Sequence, residues 1–266
     1  MEQVIELEGY RIFTKTEGKG LPLLLLHSYW GDHTLFDQLA GDLSRKWQVI
    51  RIDLPGHGNS GVPPVDYTFD KFAVVINEVL VRLNVQEKVS VIGHSMGGYA
   101  ALAFAVKYPE RMASLVLMHA PVRAADIQSI RLREREGRLL LKGKKELLLQ
   151  LTIPSNFAPG NSGKLEKEMQ MLNQTSSKVT MEGALGSIHA INHRSNYLPE
   201  MLNAQYPILF IIGRHDQVYS PDIQLNDAGK LPNAEVLMLE NSGHLGFLEE
   251  ETLVFERLEK FLDRSF

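Results

Sequence analysis

Apolar residues along the chain fall into short runs, and the stretches between them carry helical spacing. The opening "EQVIELEGYRIFTKTEG" alternates apolar and polar positions around Gly9, which predicts an antiparallel hairpin. "PLLLLHS" and "WQVIRIDLPG" predict short buried strands, with helical spacing in "LFDQLAGDLSRK" between them. The alternation continues through helix "DKFAVVINEVLVRL", strand "VSVIGHS", a helix reaching through "KYPERM", strand "ASLVLMHAP", strands "YPILFIIGRHD" and "AEVLMLENSGH", and a last helix "FERLEKFLDRSF". Strands buried on both faces and alternating with helices indicate an α/β chain, its mostly parallel sheet covered by helices and entered by the hairpin. From Pro121 to Asn203 no strand-like run occurs, only amphipathic helical patterns and a "TIPSNFAPGNSGK" loop. The organisation read from the pattern is a core of residues 1–120 and 204–266, interrupted by a helical insertion at 121–203.

Composition narrows the function classes. A length of 266 residues suits one domain with an insertion, and 44% hydrophobic with 23% charged residues is an ordinary soluble composition. A net charge of −4 provides no electrostatic footprint for nucleic acid, so none is expected as a partner. No apolar run approaches the roughly 18 residues of a membrane span. The start "MEQVIELEG" is acidic where a signal peptide is basic and then apolar, which makes the cytoplasm the default location. The absence of cysteine excludes disulfides, thiolate metal sites and a cysteine nucleophile. Between Arg123 and Gln150 eight Lys or Arg stand against four acids, a local excess of +4 that is expected to be a solvated helix face, with a basic rim attracting an anionic substrate as the alternative.

The stretch "VSVIGHSMGGYAALAFA" places Ser95 in the turn between a strand and a helix. A serine hydroxyl is a poor nucleophile near neutral pH. It needs a base in contact, an exposed position and donors for the oxyanion formed on attack at a carbonyl. A sharp strand-to-helix turn supplies the exposure, and Gly93, Gly97 and Gly98 supply the small neighbours such a turn requires. The helix N-terminus points amides at the developing charge. The competing reading of Ser95 is a plain turn serine or helix N-cap. An acid and then a histidine are expected downstream, each in a loop after a later strand. Asp216 in "ILFIIGRHDQVYSP" and His244 in "AEVLMLENSGHLGFLEE" fit, with Asp126 as an alternative acid. Of the other histidines, His57 reads as a turn residue, as does Asp53 beside it, and His94 and His215 flank the proposed nucleophile and acid. His189 and His193 share a helical face but lack the Glu of an H-E-x-x-H zinc site, because Ala190 follows His189. His33 and His119 receive no role.

Taken in order, "HSYWGD", "RIDLPGHGNS", "GHSMGG", "GRHD" and "NSGHLGFLEE" resemble the α/β-hydrolase superfamily, in the subgroup with a helical cap between strands six and seven. The resemblance spans essentially the full chain, the cap matching only in position and helical character. It implies a mostly parallel eight-stranded sheet flanked by helices, with Ser95 as nucleophile, Asp216 as acid, His244 as base and the Met96 amide as one oxyanion donor. The second donor in such proteins follows a His-Gly pair, which maps to Tyr29. Ser28 stands where the family has glycine, so it must occupy an allowed backbone region or carry strain. The implied activity is serine hydrolysis of an ester or related acyl bond of a small-molecule substrate through an acyl-enzyme, with no metal or organic cofactor. The same triad supports carbon-carbon bond hydrolysis, lactone or thioester hydrolysis and perhydrolysis, and some members act instead as small-ligand receptors or scaffolds. An aspartate nucleophile would point to dehalogenase or epoxide hydrolase chemistry, and Ser95 argues against both. Leu185, Ile188 and Ile191 are expected to pack the cap rather than touch substrate. Acyl length and oligomeric state leave no mark in the residues.

Overall fold

A computed structural model describes residues 1–64, 67–161, 163 and 165–265. The strands form one eight-stranded sheet in the order β1-β2-β4-β3-β5-β6-β7-β8. β1 (Glu2–Leu7) and β2 (Tyr10–Glu17) make the hairpin, with Gly9 at φ 82° in its turn. β2 pairs antiparallel with β4 (Gln48–Ile52). From there β3 (Pro22–Leu26), β5 (Val89–His94), β6 (Met112–Met118), β7 (Ile208–Gly213) and β8 (Ala234–Leu239) continue in parallel.

Successive side chains of a strand point to opposite faces, so each apolar run feeds two cores. Leu24, Leu26, Ile208, Phe210 and Ile212 pack on the face covered by α2 (Phe69–Arg82) and α3 (Met96–Lys107). Leu23, Leu25, Leu209 and Ile211 pack on the opposite face, against α1 (Asp37–Leu43) and the last helix (Glu251–Leu262). Each of the β3 leucines is at most 1% exposed, and burying such a side chain contributes about 1.5–3 kcal/mol. This two-sided burial is why these strands show no alternation in sequence.

Two expectations about element boundaries need correction. The helix read through "KYPERM" ends at Lys107, and Pro109–Arg111 form a separate 3-10 turn. Proline disfavours the helical region for the residue before it, and Tyr108 accordingly adopts φ −132°, ψ 57°. Residues 152–155, read as loop, instead close α5 (Lys145–Ser155), because Leu148, Leu149 and Ile153 keep helical spacing, and Pro154, which forgoes its own bond to the carbonyl four residues back, stands one residue before the helix end. Ser162 and Lys164 of the same expected loop lie outside the described residues.

Between β6 and β7 the chain passes through α4 (Ile127–Leu141), α5, α6 (Glu166–Lys178), α7 (Met181–Asn192) and α8 (Leu198–Met201). α4 packs on α7 and α5 on α6. This helical layer is tied to the strand-end loops: Ser176 Oγ donates to Trp30 O at 2.9 Å, and the His244 amide donates to Asn156 O at 2.7 Å. Among the described residues no helix is long and apolar enough to cross a membrane.

Candidate active site

Ser95 follows β5 and precedes α3 with φ 52° and ψ −113°, a backbone region that costs a non-glycine residue of order 1–3 kcal/mol. The conformation persists because the surrounding chain over-determines it. Its amide donates to Met118 O at 2.9 Å, and its carbonyl accepts the amide of Gly98 at 2.9 Å. The glycines on either side permit the close approach: a Cβ on Gly93 would lie 2.4 Å from Gly97 O, and one on Gly97 would lie 2.1 Å from Leu26 O. The Ser95 side chain makes no capping bond to α3, so the N-cap reading does not describe it. Met96 is the first residue of that helix, and an amide in the first turn has no intrahelical acceptor.

Asp216 lies just after β7 and His244 after β8, and the fold brings them together. His244 Nδ1 donates to Asp216 Oδ2 at 2.9 Å. Asp216 Oδ1 accepts the amides of Val218 at 2.8 Å and Tyr219 at 3.0 Å. Burial alone would raise the Asp216 carboxyl, but His244 and His119 beside it hold it well below the usual carboxylate range. Asp126, the alternative acid, caps α4 by accepting the Ser129 amide at 2.7 Å. The His244 backbone is pinned at both ends, its amide by Asn156 O and its carbonyl by His94 Nε2, which donates at 2.7 Å.

Two residues that the sequence left without a role stand against this pair. His119, fully buried at φ 53°, accepts the Gly246 amide on Nε2 at 3.2 Å, and its Nδ1 stands 3.4 Å from Asp216 Oδ2. That distance exceeds a normal hydrogen bond and leaves an electrostatic contact. His94 is equally buried, and both rings are held below the ordinary histidine pKa, chiefly by burial. His119, Asp216 and His244 bring ligand-type atoms within 4.8 Å of one another, as do Asp32, His33 and Asp53. In the first group, and between His33 and Asp53 of the second, these atoms are engaged in contacts between histidine and carboxylate, while Asp32 Oδ1 accepts the Thr34 amide and hydroxyl. The only sequence signal for His119 was its place at the end of a strand next to the one bearing Ser95.

The loop after β3 is fixed by two histidines. Leu54 N–H donates to His27 Nε2 at 2.8 Å, which leaves the ring proton on Nδ1 to donate to Ser28 O at 2.8 Å. The Gly31 amide bonds the same carbonyl at 3.0 Å. The Ser28–Tyr29 peptide is trans, so its Tyr29 N–H points away from the doubly held carbonyl. His57 Nε2 lies 2.6 Å from Tyr29 O and holds the next peptide. The described non-glycine residues with positive φ are Asn84, Ser95 and His119, so Ser28 occupies an ordinary region without left-handed strain.

Ser95 and His244 line one cavity of about 200 Å³, together with Ser28, Tyr29 and Trp30 from the β3 loop and side chains from α4, α5 and α6. Its apolar wall is Leu132, Ile153, Leu172, Val218 and Leu245. Ile188 and Ile191 pack in the core, with Leu185 against them. His189 and His193 form an exposed pair with rings tilted by 32°, centroids 4.2 Å apart. Asp53 organises its turn as expected, accepting the Asn59 amide at 2.8 Å and His33 Nδ1 at 2.8 Å. The basic segment divides: Arg131, Arg135, Arg138, Lys142 and Lys144 are exposed, whereas Arg123 pairs with Asp227, Lys145 bonds Ser177 O and Val179 O, and Arg133 faces the cavity.

A family model described as alpha/beta hydrolase fold matches residues 22–251. Lipase 3 of Moraxella sp. (strain TA144) is 29% identical over 235 residues, covering 86% of this chain and 73% of that protein. A carboxylesterase of Bacillus subtilis (strain 168), described as uncharacterized, is 26% identical, covering 91% and 79%. A thermophilic esterase from Thermogutta terrifontis, solved with malate bound, superimposes with a TM-score of 0.92 at 23% identity, covering 100% of this chain and 99% of its own. The enol-lactonase from Burkholderia xenovorans LB400 gives 0.90 at 20% identity, covering 98% and 100%. These two structures share the fold.

Proposed function

The chain belongs to the α/β-hydrolase fold family, and from that premise we propose that it is a serine hydrolase cleaving a carboxylic ester or related acyl bond of a small molecule. The observation that carries the reading is a strained, uncapped Ser95 sharing a cavity with His244, whose Nδ1 is already committed to a buried carboxylate. The Asp216 bond places the His244 proton on Nδ1 and leaves Nε2 as the base. Nε2 takes the Ser95 proton, and the hydroxyl oxygen attacks the carbonyl carbon. The amides of Met96 and Tyr29 receive the oxyanion. His244 then protonates the departing alcohol, and water, deprotonated by the same ring, releases the acyl group and regenerates Ser95. Residues 121–203 act as a cap that roofs the acyl site. The relatives named as a lipase and a carboxylesterase agree with ester chemistry.

The cavity's 200 Å³ lies below the ~300–1,000 Å³ common for ligand sites, which favours short acyl groups. The test is hydrolysis of p-nitrophenyl esters from acetate to palmitate by the wild type and Ser95→Ala. Acetate and butyrate should outpace palmitate, and the variant should lose at least about 10³-fold in kcat. Equal activity in both proteins would remove Ser95 from the mechanism. Absence of ester hydrolysis by the wild type would remove the esterase reading.

A further inference from the structure

We propose that Arg133 is a specificity residue, selecting substrates whose acyl part carries, in addition to the scissile carbonyl, a second oxygen acceptor farther along the chain, an oxo or carboxylate group. The inference rests on the cavity being the acyl site. Arg133 and Glu136 are one turn apart on α4, both line that cavity, and their side chains are only 14% and 6% exposed. Arg133 Nη1 donates to both Glu136 oxygens, at 2.9 and 2.7 Å. The guanidinium lies over the Tyr29 ring, its carbon 5.4 Å from the centroid, so its plane is held from two sides. Among the described residues Nε and Nη2 meet no protein acceptor, which leaves three N–H groups for a ligand.

The hydroxyls on the same side of the cavity have their protons committed. Thr152 donates to Leu148 O at 2.8 Å, Ser155 to Thr152 O at 2.8 Å, and Ser176 to Trp30 O at 2.9 Å. Asn156 gives one amide proton to Thr152 O at 3.0 Å, and the Arg133 edge is the charged open donor surface that the insertion presents to the cavity. A purely hydrocarbon acyl chain would strip water from it and return no acceptor, whereas an oxo or carboxylate oxygen would satisfy the fork. A site built around a buried donor discriminates strongly against the analogue that lacks the acceptor. Burial would lower the Arg133 pKa, but Glu136 more than offsets it, so the guanidinium is charged at any working pH.

The test compares ethyl hydrogen succinate, ethyl 4-oxopentanoate and ethyl pentanoate, which match in length and leaving group. In the wild type at least one oxygen-bearing ester should exceed the pentanoate about tenfold or more in kcat/KM. The double variant Arg133→Met/Glu136→Met replaces a buried ion pair by apolar side chains of similar size, a change that folds tolerate. It should bring that ratio to within about twofold of one. A preference for succinate identifies a carboxylate partner, and a preference for 4-oxopentanoate a neutral one. A wild-type preference for pentanoate, or a ratio unmoved in the double variant, overturns the proposal. Calorimetric binding of the same three esters to Ser95→Ala gives a readout independent of turnover. Tighter binding of the succinate or 4-oxopentanoate ester supports the role of Arg133 even where no ester is cleaved and the hydrolase reading has failed; equal affinities, or binding of none of the three, overturn it.

Discussion

Replacing Asp216 by Asn tests the arrangement around His244 more sharply than deletion, because the structure dictates how the amide must sit. Oδ1 accepts two backbone amides, from Val218 and Tyr219, so in the variant this position must hold the amide oxygen. The NH₂ is then forced to the Oδ2 position, where it donates toward His244 Nδ1. Nδ1 becomes an acceptor, the ring proton moves to Nε2, and the base can no longer take a proton from Ser95. A wrong-tautomer histidine in a serine triad loses about 10⁴ in kcat, or about 5 kcal/mol of barrier. The fold should survive, since both backbone bonds to Oδ1 persist. The assay is kcat for p-nitrophenyl acetate near pH 7.5, with thermal unfolding as the control. A loss below tenfold in a folded variant would refute the reasoning, because His244 would then not depend on Asp216 for its tautomer.

Three other perturbations follow from the same geometry. Gly97→Ala should destabilise by about 3 kcal/mol or more in urea unfolding, since its Cβ would sit 2.1 Å from Leu26 O and 2.6 Å from His27 O; a change under about 0.5 kcal/mol would show that the turn yields freely. His57 is pulled down by burial and by His27, against two carbonyl contacts that favour its charged form, from 6.5 to about 4. In the window between those values the unfolded chain takes a proton that the folded one refuses. Stability is thus full above pH 6.5 and falls by about 3 kcal/mol toward pH 4 from this group alone. His94 and His119 add in the same direction, whereas Asp216, lowered from 3.8, acts only below this window. Melting temperatures from pH 8 to 4 check the sign, and stability that rises on acidification would contradict it. Ile153→Ala, on the cavity wall at 3% exposure, should shift the optimum to acyl chains longer by about one or two methylenes and cost about 2–4 kcal/mol; an unmoved optimum would place the acyl chain along another wall.

What the chain determines by itself is local. The runs at 22–26, 89–94, 112–118 and 208–213 are apolar because both faces of the parallel sheet are covered, and that demand is visible without knowing the cover. Ser95 is conspicuous because a strained turn needs glycine neighbours within a few positions, and Asp216 and His244 stand out because each follows a strand-like run, β7 buried on both faces and β8 half-buried at the sheet edge. Tertiary structure decided what depends on distant backbone. Asp126 and Asp216 are equivalent as letters, yet one caps a helix and the other meets His244. His119 gains its place from Gly246, 127 residues away, and Ser28 from the carbonyl bonds that fix its peptide. Among the cations of the basic segment nothing local distinguishes Arg133. Helical periodicity sets which residues share a face, and only the packing of α4 against α7 and α5 decides which of them turns toward the cavity of Ser95.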